Sequence, residues 1–210
     1  QRIPDVLEVG EIKAILAELQ EPVKTMVFLA AATGLRVSEL IGLKWGDIDF
    51  DKLEINLSRG VVDGVVGTMK TEASRKPIPL DLGLAEVLLD WQARSEYRGH
   101  GDWLFASSRM RGEKPYSPDT LLSKVIRPAA KRAGIEKRIG WHTFRHSFAT
   151  LLKANGEDVK VVQESLRHAN SRITLDTYTQ AVTPAKRQAQ AKVVKMIRPT
   201  TGTSAKEVVA

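Results

Sequence analysis

The chain contains no cysteine, which excludes disulfide bonds, thiolate metal sites and a cysteine nucleophile. The same absence is compatible with a reducing cytoplasm. No apolar run approaches the ~20 residues that a membrane helix needs, so no membrane partner is expected. No cationic and apolar leader opens the chain, although Gln1 is not expected to be the natural start. A Gly-x-x-x-x-Gly-Lys phosphate loop is missing, so use of ATP is not indicated. Aromatic residues make up only 6%, and just three of them are tyrosines: Tyr97, Tyr116 and Tyr178.

What is present describes a globular protein. The 210 residues are 42% hydrophobic and 27% charged, enough to bury a core as one large domain or two small ones. The net charge of +7 is unevenly placed. Residues 1–100 hold 12 Lys/Arg against 16 Asp/Glu, and residues 101–210 hold 20 against 9. A basic half is an electrostatic footprint for a polyanion, and it is equally a solvated basic surface.

Periodicity gives a mostly helical chain. Ile12, Ile15, Leu16 and Leu19 form a helical stripe across Val9–Leu19. Pro22 suits a first turn, and Val23–Thr33 reads as a buried helix ending at Gly34. A short helix is expected over Arg36–Leu43 and a strand over Leu53–Ser58. Gly60, Gly64 and Gly67 punctuate a hairpin, and Lys76–Leu80 reads as an edge strand because of its prolines. Leu82–Arg98 is amphipathic, Asp102–Ala106 extended, and Ser117-Pro118 starts a helix running to about Ala133. His142–Ala154 and Val159–Leu166 are helices, the second capped by Asp158. Ser171 is expected to cap a short helix reaching Asp176 or Thr177. Ala185–Ile197 carries an apolar stripe opposite a basic face, and Thr200–Ala210 reads as a loose tail.

The chemistry is concentrated in a few motifs. Trp141-His142-Thr143-Phe144-Arg145-His146 places His142 and Arg145 three apart, on one helical face. An always-charged arginine beside a group that titrates near neutrality suits binding a phosphate and moving a proton on it. Upstream lies Thr33-Gly34-Leu35-Arg36-Val37-Ser38-Glu39-Leu40. Downstream come Leu166-Arg167-His168 and Leu175-Asp176-Thr177-Tyr178-Thr179. Arg, His-x-x-Arg, His and Tyr in this order resemble the tyrosine recombinase (phage integrase) family, from about Leu7 to Tyr178.

The resemblance implies an α+β catalytic domain, mostly helical with a small antiparallel sheet. It also assigns roles. Arg36 and Arg145 hold the non-bridging oxygens of a phosphodiester, and Glu39 supports them. Lys70, on the hairpin, protonates the leaving 5′ oxygen, with Lys76 and Lys44 as competing lysines. His142 is an acid/base or phosphate ligand, and His168 donates to a non-bridging oxygen. Arg167 stands where the family often has glycine. Tyr178 is the nucleophile, activated by nearby cations. His142 and His146 lack the glutamate and third ligand of a zinc helix, so no metal or other cofactor is expected. Asp47, Asp49 and Asp51 read as a turn rather than a metal site.

On this resemblance the chain is expected to be a site-specific DNA recombinase or integrase of bacterial or phage origin, acting in the cytoplasm. Its partners would be double-stranded DNA and further copies of itself, as a tetramer on two sites. Because Arg2-Ile3-Pro4 falls where an interdomain linker should end, residues 1–210 would be a catalytic domain without its N-terminal DNA-binding partner. Two other readings share the residues: a type IB topoisomerase-like nicking and resealing enzyme, and a catalytically silent DNA-binding domain. The stripe of Ala185–Ile197 is open between packing on its own domain and docking on a neighbouring protomer.

Overall fold

The computed structural model describes residues 5–69, 76–167 and 182–198. In chain order the helices are α1 (Val9–Ala17), α2 (Val23–Thr33), α3 (Val37–Ile41), α4 (Leu82–Arg94), α5 (Pro118–Leu121), α6 (Arg127–Arg132), α7 (Trp141–Ala154), α8 (Val159–Ser165) and α9 (Val182–Ile197). The strands are β1 (Ile48–Asp49), β2 (Glu54–Ile55), β3 (Arg59–Val62), β4 (Val65–Thr68) and β5 (Ile78–Pro79).

The core is built around α2. Every residue of this helix except Lys24 is buried, and Phe28 and Leu29 are fully so. Across from it, α7 contributes Phe144, Phe148 and Leu152. Each such side chain, removed from water, contributes roughly 1.5–3 kcal/mol. Helix α1 adds Ile12, Ile15 and Leu16. It is joined to α7 by Leu7, whose main-chain N–H donates to buried Ser147 Oγ at 2.7 Å.

The expected single sheet is two separate ones. β1, β2 and β5 form a three-stranded antiparallel sheet with β5 at an edge, while β3 and β4 pair only with each other. Ile48, Ile55 and Ile78 lie in one register and bury together. The hairpin buries Val61 and leaves Val62, Val65 and Val66 exposed. The strand at 54–55 is shorter than expected: Leu53, at positive φ, belongs to the preceding turn, and residues 56–58 are not paired as a strand.

Other boundaries differ for local reasons. The helix expected to reach Arg98 ends at Arg94. There the Tyr97 carbonyl accepts from Trp45 Nε1 and Ser95 Oγ, both at 2.9 Å, which draws the chain off the helix axis. The helix from Ser117 is not uniform: residues Leu122–Ile126 widen into a π turn between α5 and α6. Pro128 has no N–H and crowds the carbonyl four residues back, and a wider turn relieves that clash. The extended piece expected over Asp102–Ala106 is instead a turn at Leu104–Phe105 between two isolated bridges, Lys44–Trp103 and Ala106–Pro115. The short helix expected near Ser171 and the tail at 200–210 lie outside the described residues.

Helix α9 packs on its own chain. Ala189, Val193, Val194 and Ile197 are buried among α1, α2, α4, α7 and α8. Buried Gln190 accepts from the Asp81 N–H through Oε1 at 2.9 Å, which ties α9 to the start of α4. Ion pairs Lys192–Glu157 and Arg198–Glu86 flank this face. Within the single chain, the apolar stripe of α9 covers its own domain.

Gly34 closes α2 with φ +63°, and a Cβ there would lie 2.6 Å from Phe148 Cδ1. Gly34→Ala should therefore destabilise the domain by roughly 2–4 kcal/mol, combining left-handed strain with overpacking. Urea denaturation measures it; a change below about 0.5 kcal/mol, the size of an ordinary surface substitution, would contradict this packing.

Candidate active site

The site begins where α2 stops. The left-handed turn at Gly34 frees its carbonyl, and Arg145 Nη1 on α7 donates to it. Arg145 Nη2 donates to the carbonyl of Leu166, just past α8. One guanidinium thus joins two turns far apart in sequence. Arg145 is buried, and this burial together with the charges of Arg36 and Arg167 pushes its pKa down to about 10. It remains a cation at neutral pH. Two of the five N–H groups of its fork are aimed at carbonyls, which leaves three for a ligand.

Arg36 precedes α3 and is half-buried. Its main-chain N–H donates to Glu39 Oε2 at 2.9 Å, and its Nη1 donates to Glu39 Oε1 at 2.7 Å. Glu39 Oε2 also accepts from Arg167 Nη2 at 2.5 Å, between two side chains each 3% exposed. Burial pushes the Glu39 carboxyl up, but the Arg167 charge and the Arg36 hydrogen bonds outweigh it and hold the pKa below the usual carboxylate range. Arg36 Nη2 donates to the Arg167 carbonyl at 3.4 Å. Successive carbonyls of one turn, Leu166 and Arg167, therefore receive Arg145 and Arg36. The cluster sets three arginines against one carboxylate, a surplus of two positive charges beside a turn that leads into His168.

His142 is exposed in the first turn of α7, on the flank of Arg145. Its ring centroid is 6.4 Å from that of His146, whose pKa is lowered by burial and then by His142 and Arg145. Among the described residues no three His, Cys, Asp or Glu gather as for a metal. Asp47 instead takes the Lys44 N–H at 2.8 Å and Arg59 Nη1 at 2.5 Å, and Asp49 pairs with Lys52. Lys70, His168 and Tyr178 lie outside the described residues.

The competing residues are placed elsewhere or differently. Lys44 Nζ sits 4.8 Å over the Trp103 ring, packed rather than aimed at the arginines. Lys76 is exposed and borders a cavity of about 20 Å³ shared with Glu164, Arg167 and Lys186. Tyr97 has its phenol pKa raised by burial and by Glu96, the wrong direction for a nucleophile. Tyr116 lines a separate groove of about 740 Å³ between α3, the β3–β4 hairpin and Ser117–Leu121. That groove contains none of the clustered charges, so volume alone does not locate the site.

The comparisons with known proteins agree with this geometry. The sequence model described as the phage integrase family matches residues 5–183. This chain belongs to the phage integrase family. It is 31% identical over 204 residues to a tyrosine recombinase XerC-like protein of Caldanaerobacter subterraneus subsp. tengcongensis, covering 85% of this chain and 51% of that protein. It is 32% identical over 182 residues to tyrosine recombinase XerA of Pyrococcus furiosus, covering 84% and 57% respectively. The chain thus spans about half the length of the curated relatives it matches. A crystal structure of XerA recombinase superposes with a TM-score of 0.62 at 26% identity, over 95% of this chain and 65% of that one. The Tn1549 transposon integrase in complex with circular intermediate DNA shares the fold, with a TM-score of 0.68 at 19% identity over 88% and 67%. The integrase fold expected from the sequence, α+β and mostly helical, is the one found.

The sequence had treated Arg167 only as a departure from glycine. Its ion pair with Glu39 was not foreseen, and neither were the carbonyls that hold Arg145. The only sequence signal was an additional cation directly before His168.

Glu39→Gln should destabilise the domain by about 3–5 kcal/mol at pH 7, because Arg167 loses its counter-charge inside the protein. The contribution of Glu39 is present above the unfolded carboxylate range near ~4.3 and fades as pH falls through its lower folded value. The stability gap between the two chains should therefore narrow below about pH 4. Denaturant titrations at several pH values test this, and a gap that is constant from pH 7 to pH 3 would refute the assigned ionisation.

Proposed function

We propose that this chain is the catalytic domain of a site-specific DNA recombinase that cuts and rejoins DNA through a covalent phosphotyrosyl link. The observation that carries the reading is the surplus positive charge of the Arg36–Glu39–Arg145–Arg167 cluster, fixed by carbonyls before any ligand arrives. A phosphodiester in its transition state gathers negative charge on its non-bridging oxygens. Preorganised donors stabilise that charge without reorganising as it forms.

In this reading Arg36 and Arg145 bind the two non-bridging oxygens, and His142 and His168 add hydrogen bonds. The Tyr178 phenol oxygen attacks phosphorus, passing its proton to the His142 imidazole or to solvent, and the bond from phosphorus to the 5′ oxygen breaks. Lys70 gives that oxygen its proton. The product is a 3′-phosphotyrosyl link and a free 5′ hydroxyl. A 5′ hydroxyl from a partner duplex reverses the step on the new strand. The bond is conserved in the covalent link, so no nucleotide cofactor enters the balance. Joining two duplexes calls for four copies, and the basic half of the chain supplies contacts to DNA phosphates. Residues 1–210 form the catalytic unit, with DNA clamping shared by a separate domain of the whole protein.

Tyr178→Phe should abolish the covalent adduct on a nicked suicide duplex while leaving DNA affinity within about twofold, since one hydroxyl is removed and no phosphate-binding cation. The adduct is read as a protein–DNA band that survives denaturation. An adduct persisting in this variant, mapped by mass spectrometry to Tyr97 or Tyr116, would refute the assignment.

Lys70→Ala should slow cleavage by roughly 10²–10⁴-fold, the usual worth of a general acid. A duplex with sulfur at the bridging 5′ position supplies a leaving group that needs no proton, so the variant should recover most of its rate on it. If the sulfur duplex rescues Lys76→Ala and leaves Lys70→Ala slow, the proton comes from Lys76.

A further inference from the structure

We infer that Arg167 is a positioning residue of the proposed recombinase site, acting through Glu39 to keep Arg36 oriented and charged toward the phosphate. The inference rests on the recombinase reading, in which Arg167 only adds to the charge of the cluster and holds no group of the substrate.

Arg167 is an unfavourable residue for its position on three counts. Its φ is +52°, a left-handed conformation that costs a residue with a Cβ roughly 1–2 kcal/mol. Its side chain is a charge only 3% exposed, which is expensive even when paired. Among the described residues its Nε and Nη1 are buried without a hydrogen-bond partner. Each unmet donor costs about 1–3 kcal/mol. Glycine would remove all three penalties, so the turn itself does not call for an arginine.

The contacts supply another account. Glu39 alone would lie against Arg36 and cancel its charge. Arg167 Nη2 claims Glu39 Oε2 at 2.5 Å, so the carboxylate is divided between two guanidinium groups. Arg36 then keeps positive charge for a ligand. The same residue also takes Arg36 Nη2 on its carbonyl, so both its side chain and its main chain fix that guanidinium. Two further observations agree with this: Arg167 holds the Glu39 carboxyl in its ionised form, and its turn also receives Arg145 through Leu166.

The test uses the full chain on a nicked suicide duplex under single-turnover conditions, with rates taken per folded molecule. Arg167→Gly and Arg167→Asn both accept a left-handed backbone; each leaves the buried Glu39 carboxylate with Arg36 alone and should melt below the parent, which rates per folded molecule correct for. Their cleavage should be slower by roughly 10–10²-fold, the size of effect expected from a misplaced binding group. Arg167→Lys should recover part of the loss. Adding Arg167→Asn to Glu39→Gln should slow cleavage no further than Glu39→Gln alone, because one acts through the other. The acid limb of the cleavage profile should move to higher pH in Arg167→Asn, as Glu39 loses the charge that keeps it ionised. Cleavage within twofold of the parent, or losses that multiply with Glu39→Gln, overturn the inference. If the parent itself forms no adduct, the recombinase reading falls. The arrangement is then judged by titrating the Glu39 carboxyl by NMR, where an equal pKa in parent and Arg167→Asn overturns it.

Discussion

The guanidinium of Arg145 is the constraint on which the rest of the site depends. It is a buried cation whose hydrogen-bond partners are the carbonyls of Gly34 and Leu166. Each carbonyl is available only because its helix has ended there. The site is thus assembled from helix termini, where backbone groups lack partners within the helix. A charged side chain from a third helix meets that unmet need, and in doing so it draws the α2–α3 turn and the turn after α8 together.

This arrangement explains why the core around α2 is so closely packed. Gly34 approaches Phe148 more closely than a Cβ would allow and packs tightly on Leu166, and the close approach brings its carbonyl within reach of Arg145. Phe144 and Phe148 bury one face of α7, while Arg145 reaches the turns after α2 and α8. Packing energy from the apolar face therefore holds three arginines within mutual repulsion, a state that their own electrostatics disfavour. Glu39 offsets part of that repulsion. The remainder is stored affinity for an anion.

Much of the fold was legible in the sequence. The helices at 9–17, 23–33, 141–154 and 159–165 follow from periodicity and from their stop signals, Gly34 and Asn155-Gly156 among them. Boundaries failed where a tertiary contact overrode local preference. The helix at 82 stops early because Tyr97 is pinned by Trp45, a partner 52 residues away. The π turn at 122–126 lies inside the helix expected from Ser117 to about Ala133, and apolar periodicity does not register so local a widening. Two small sheets were read as one because alternation identifies strands without identifying their partners.

The site divides in the same way. Residue type and spacing marked His142 and Arg145, which share one face of a helix, and the resemblance to the recombinase family marked Arg36 and Glu39. Which cation faces which anion was decided only in three dimensions. Arg167 is 128 residues from Glu39, and no periodicity relates them. The direction of the α9 stripe was decided in the same way: the sequence made it apolar, and Gln190, Asp81 and the buried faces of α1, α2 and α7 determined what it covers. Local sequence sets which groups are present and which backbone ends are open. Only the folded chain brings an open end and a distant charge within hydrogen-bonding range.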